Sequence, residues 1–180
     1  MGVLRFLMGG RHERAGHALY AAAVAAARTP HHYTVLGVPD TLDGRFDLVG
    51  LHAFLVIRRL TALPPPGPAL AQAVFDAMFS DMDINLREMG VGDLSVGKRV
   101  REMWEAFHGR ASVYQTALAA GDAQALAEAL TRTVWRGEAP PGAAEALAAM
   151  ALAQDAHLAS QEIGTLKAGQ VRFLASESAA

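Results

Sequence analysis

Three successive prolines, Pro64-Pro65-Pro66, and further breaks at Thr29-Pro30, Gly90, Gly121 and Pro140-Pro141 divide this chain into segments of helical length. Proline lacks the amide hydrogen that a helix interior needs and pushes the preceding residue out of the helical region, so helices stop at such points. Between the breaks, apolar residues recur at helical spacing. Leu70, Val74, Met78 and Met82 repeat every fourth residue, and Leu86 and Met89 extend that stripe. Val96, Val100, Met103, Phe107, Tyr114 and Leu118 form a second stripe, with Trp104 beside it. No segment alternates with period two over a convincing length. The pattern predicts an all-α single domain of about six helices, antiparallel and bundle-like. The expected spans are His12–Arg28, Gly44 to Leu60 or Leu63, Pro68–Met89, Val96–Ala120, Gly121–Trp135 and Ala143–Gln161. The third and fourth of these are expected at the centre of the core, and Pro30–Asp43 is expected to be irregular.

Local chemistry sharpens the boundaries. Asp43 and Asp47 fall at the positive end of the second helix and Arg58 and Arg59 at its negative end, as the helix dipole favours. Asp40 or Thr41 is placed to cap that helix, and Ser95 to cap the fourth. Gly90 is placed to end the third in a left-handed conformation, and Gly109 to kink the fourth.

Composition narrows the function classes. A chain of 180 residues buries enough surface to hold a core without disulfides or a metal. About one residue in five is alanine, a strong helix former that lets helices pack closely. There is no cysteine, which removes thiol nucleophiles, thiolate metal sites and disulfides. Sixteen basic against 18 acidic residues give a net charge of -2, so no global basic field exists to hold DNA. The charge is uneven: residues 1–36 carry four Arg against one Glu, and the remainder is acidic. Residues 1–11 are read as a flexible basic arm, residues 36–118 as the central part and 119–180 as an alanine-rich helical C-terminal part. Arg5, Arg11 and Arg14 would suit RNA, a ribosome or an anionic membrane surface. The most apolar run, Leu48–Ile57, contains His52 and ends at Arg58-Arg59, so it reads as a buried helix and not a membrane span. The expected location is the cytoplasm, at most peripheral at the inner membrane. Arg outnumbers Lys 14 to 2, which with the alanine content suggests a bacterial source.

Enzyme signatures are thin. Asp81-x-Asp83-x-Asn85 opens like a calcium loop, but the required Gly and Glu positions hold Leu86 and Gly92. Glu105-x-x-His108 matches half of a di-metal carboxylate signature and has no second half. His31-His32 reads as a loop pair, and the seven histidines do not cluster. Catalytic residues, cofactors and metal are accordingly expected to be absent, the alternative being a helical metal-dependent carboxylate enzyme using Glu105 and His108. Two stretches are denser in charge than packing demands: Leu36–His52 and Asp76–Met103. The second interleaves Met78, Met82, Met89 and Met103, adaptable side chains that suit either a core or a surface receiving varied apolar segments.

The strings HYTVLGVPDTLDGRFDLVGLH, FLVIRRL, FDAMFSDMDINLREMGVGDLSVGKRVREM and AFHGRASVY resemble the ubiquinol–cytochrome c chaperone family. The likeness is dense from Tyr20 to about Leu118 and continues more weakly through LAEALTRTVWRG and AGQVRF. His31-His32 and His108 depart from expected aromatic positions, and the last third is unusually rich in alanine. The resemblance implies an all-α, non-enzymatic assembly factor that receives newly made cytochrome b and assists assembly of ubiquinol–cytochrome c reductase. It implies partner contacts at Asp40, Asp43, Arg45, Asp47, Asp81, Asp83, Arg87, Glu88, Asp93, Lys98 and Arg99. The alternatives are the metal-dependent enzyme and a ribosome- or RNA-associated adaptor. An apolar client also requires an exposed apolar groove, since charges alone do not hold it.

Overall fold

The structure, a computed structural model, describes residues 2–175, with side chains from Gly10 onward. Among the described residues, eight helices follow one another: α1 (Gly2–Ala27), α2 (Pro30–Thr34), α3 (Leu42–Thr61), α4 (Gly67–Glu88), α5 (Asp93–Ala120), α6 (Ala123–Val134), α7 (Ala143–Ala159) and α8 (Ile163–Lys167). Six are long and two are single turns, and there is no strand among the described residues. The all-α expectation therefore holds, and the breaks fall at the Pro and Gly positions read from the sequence.

The centre of the core is α3, and not the third and fourth expected helices. Every residue from Asp47 to Val56 is buried, because α3 is flanked by α1, α4, α5, α6 and α7 together. Leu48, Leu51, Leu55 and Leu60 are among its fully buried side chains, each contributing about 1.5–3 kcal/mol. α4 joins this core through Leu70, Val74 and Met78, as its stripe predicted. α5 does so mainly in its second half: up to Phe107 only Val96 is buried, whereas Phe107, Tyr114, Ala117 and Leu118 pack inward. Its first half therefore projects with the end of α4 as a hairpin.

The turns explain how the elements are placed. Thr41 Oγ1 accepts from the Gly44 amide at 3.2 Å and caps α3, whereas Asp40 pairs with Arg45 at 2.6 Å. α5 starts at Asp93 behind Gly92, so Ser95 is already helical and does not cap it. It also runs unbroken through Gly109, where a methyl group would meet open space. Gly90 takes the left-handed φ of +80° expected of it. Gly16 has a different role: a Cβ there would lie 2.6 Å from Ala73, so its lack of a side chain sets how closely α1 approaches α4.

The expected irregular segment is partly helical. α2 carries His32 into the core, against His52 of α3, with ring centroids 5.5 Å apart. His31-His32 is therefore not a loop pair. His52 Nδ1 donates to the Leu48 carbonyl at 2.8 Å, the Thr/Ser-like local bond that a buried polar residue uses within its own helix. The link from α2 to α3 is then fastened by Trp135, whose indole N–H donates to the Gly37 carbonyl at 3.1 Å.

Candidate functional site: a groove between α3, α4 and α5

The projecting hairpin leaves an open groove of about 410 Å³ between the start of α3, the end of α4 and the middle of α5. The first turns of α3 place Leu42, Asp43, Phe46 and Asp47 along it, one helical turn separating each like pair. From α5 come Arg99, Met103 and Arg110, and from α4 comes Leu86. Leu86 is buried, Phe46 and Met103 are half-buried and Leu42 is exposed, so the lining grades from core to solvent. Asp43 and Arg99 stand beside this apolar surface with opposite charges.

One end of the groove is built on a buried carboxylate. The Asp47 side chain is 1% exposed and receives Arg110 and Arg136, the latter at 2.8 Å. Arg110 also lies over Phe46, 5.1 Å from the ring centroid, a position that favours a cation. Burial pushes the Asp47 carboxyl up, and the two guanidinium groups pull it the other way. Together these contacts tie α3 to α5 and to the turn after α6.

The hairpin adds exposed apolar surface. Ile84 and Met89 are each 51% exposed, Leu94 99% and Trp104 44%. Of the methionines singled out from sequence, Met78 and Met82 fill the core, Met103 lines the groove and Met89 faces solvent. Both sequence readings of methionine are thus realised, at different positions.

The residues implied as partner contacts are not gathered into one place. Asp43, Asp47 and Arg99 line the groove. Asp40 and Arg45 form an exposed pair at its approach, where the Arg45 guanidinium holds the Asp40 carboxyl below its ordinary value. Arg87 bridges Asp83, at 2.7 Å, and Asp93 across the α4–α5 turn. Glu88 is exposed on the same hairpin, and Lys98 reaches Glu102 at 3.8 Å. Asp81 instead faces α1, where it accepts from the Tyr20 hydroxyl at 2.7 Å.

The metal-enzyme reading gains nothing from the geometry. Glu105 pairs with Arg101 at 3.0 Å, and His108 packs at a tilt against Trp104 with ring centroids 4.2 Å apart. Among the described residues, no three His, Asp or Glu side chains gather as ligands would. For the adaptor reading, Arg11 and Arg14 share an open groove with Lys167 beside Pro65-Pro66. Arg5 falls outside the described side chains. Among the described residues, no helix is long and apolar enough to cross a membrane.

The sequence pattern of the family described as ubiquinol-cytochrome C chaperone matches residues 34–173. The chain belongs to that family. A crystal structure described as the Cbp3 homolog from Brucella abortus is similar throughout: 37% identical, with 97% of each chain covered and a TM-score of 0.83. No curated protein matches. In this family member the matched span takes in the whole groove, the hairpin and the loop fastened by Trp135. Sequence reading of the family motif missed Arg110 and Arg136, the partners of Asp47. One signal was available, since Asp47 shares a helical face with Leu51 and Phe54 and a carboxylate on such a face needs a cation. Nothing local pointed to which arginine supplies it.

Proposed function

We propose that this chaperone-family chain binds newly made cytochrome b, without catalysis, and thereby assists assembly of ubiquinol–cytochrome c reductase. The observation that carries this reading is the apolar strip of Leu42, Phe46, Leu86 and Met103 in a groove otherwise lined by charged side chains, together with exposed Ile84, Met89, Leu94 and Trp104 elsewhere on the hairpin. Apolar segments that have not yet reached a membrane need such a surface, and exposed apolar patches are otherwise a liability. Asp43, Arg99 and the Asp83–Arg87–Asp93 bridge then orient the encounter more than they supply affinity. The place of action in this reading is the cytoplasmic face of the membrane that receives cytochrome b.

The test replaces Ile84, Leu94 and Trp104 together by glutamine. All three are well exposed, so the folded chain should change in stability by no more than about 0.5 kcal/mol per site. Cytochrome b recovered with the chain should fall at least about tenfold, the equivalent of about 1.4 kcal/mol of binding. Assembled cytochrome b in membranes should fall with it. Normal levels of assembled cytochrome b in cells lacking the gene would sink the assembly role.

A further inference from the structure

Beyond α8 the chain runs without helix through Gln170–Ala175 and lies back over α7. Two glutamine side chains grip it. Gln154, on α7, donates from Nε2 to the Leu174 carbonyl and accepts from the Leu174 amide, both at 2.9 Å. Gln161, just past the end of α7, does the same for Arg172, donating at 2.6 Å and accepting at 3.0 Å. Each carboxamide thus offers one residue the donor and acceptor that a neighbouring strand would offer. The gripped residues are two apart, which is the repeat of an extended chain.

The gripping side is fastened by contacts that do not involve the tail. Gln154 is buried with the tail in place. Arg59 donates to the Gln161 carbonyl at 2.7 Å, and Arg58 pairs with Asp155 at 2.9 Å, fixing this end of α7 to α3. A preorganised surface of this kind binds with little ordering cost. Its hydrogen bonds read only backbone, so side-chain demands are confined to Val171 and Phe173, which are half-buried against the core. Phe173 lies 5.5 Å from the His52 ring.

Among the described residues, the tail as far as Ala175 fills only part of the groove. A cavity of about 450 Å³ continues from Leu174 and Ala175 along α7, with Met150, Ala153, Leu36 and His32 in its walls. A longer extended segment with apolar side chains at alternate positions would keep the two glutamine contacts and add this cavity. We infer that the α7 face is a receptor for extended peptide, occupied in cis by the chain's own C-terminal segment, which an extended apolar segment of the client protein displaces. The client here is that of the proposed function, whereas the receptor is read from Gln154, Gln161 and the cavity beside them.

The test uses the full chain and a fluorescent peptide of the sequence GQVRFLA, copied from Gly169–Ala175. Replacing Arg172 and Leu174 by proline removes the two tail amide donors and leaves α7 unaltered. The peptide should bind this variant at least tenfold more tightly than the unaltered chain, and adding Gln154→Leu should abolish the gain. Equal binding to both chains, or a gain that survives Gln154→Leu, would overturn the receptor. A second measurement needs no variant: in the unaltered chain, hydrogen exchange at the Arg172 and Leu174 amides should be at least 100-fold faster than in the middle of α3. Exchange no faster than that of α3 would mean that the tail leaves only when the whole domain unfolds, and the inference fails. The peptide readout does not involve cytochrome b, so normal assembly in cells lacking the gene would count against the proposed function without imitating either failure.

Discussion

Asp47→Ala should destabilise the domain by about 3–5 kcal/mol, the range for removing one partner of a buried ion pair. The carboxylate is 1% exposed, and Arg110, its partner on α5, is itself only 17% exposed. Without Asp47 the Arg110 guanidinium stays in that setting without its ion-pair partner. Arg136, 54% exposed, turns to solvent at little cost. Burial raises the Asp47 carboxyl despite two arginines, so the charged form is held against a desolvation cost that its partners only partly offset. It follows that removing both charges should do less harm than removing one. Asp47→Leu combined with Arg110→Met should recover most of the loss, while Arg110→Met alone should not be silent. Urea denaturation of the four chains measures this, and a loss below about 1 kcal/mol for Asp47→Ala would show that water reaches Arg110 after all.

Acidification should weaken the fold through His52. Burial pulls its imidazole down from 6.5 to about 4, and burial moves His32, beside it, in the same direction. The unfolded chain takes up a proton on His52 near its ordinary value, whereas the folded chain does so only near the lowered one. Stability from the neutral ring is therefore complete above the ordinary value and is lost as pH falls through that window. At about 1.4 kcal/mol per unit of difference, the loss between about pH 7 and pH 5 is about 2 kcal/mol. Protonation would place a charge between His32 and Phe173, so the C-terminal segment should loosen along with the core. His52→Leu should flatten the dependence of the urea midpoint on pH over this interval. An unchanged slope in that variant would assign the effect to other groups.

These two sites also show where sequence reading stops. The six long helices and the positions of the breaks were legible, because proline geometry and four-residue repeats are local properties, whereas the single turns α2 and α8 were not. Thr41 and Gly90 act as their chemistry required. The centre of the core was misplaced, since the stripe of α5 is periodic throughout and yet its first half has little to pack against. Periodicity states which face of a helix is apolar, and does not state whether a neighbour covers it. Exposed Trp104, beside that stripe, could not be told from a core residue for that reason. His31-His32 was seen as a pair, but its second member is buried only because α3 brings His52 to it.

The amino-acid sequence by itself determined an all-helical chain, its punctuation and its membership of the ubiquinol–cytochrome c chaperone family, all of which rest on residue order along the chain. Only the tertiary structure decided which charges work in the interior and which face solvent. Asp47 meets Arg110 and Arg136, 63 and 89 residues further on, and Gln154 meets Leu174, 20 residues away. Such pairings depend on where helices cross, and crossings are set by packing shapes summed over many side chains rather than by any short motif. The same residue types on the outside of the hairpin, Asp83, Arg87 and Asp93, remain a solvent-facing bridge.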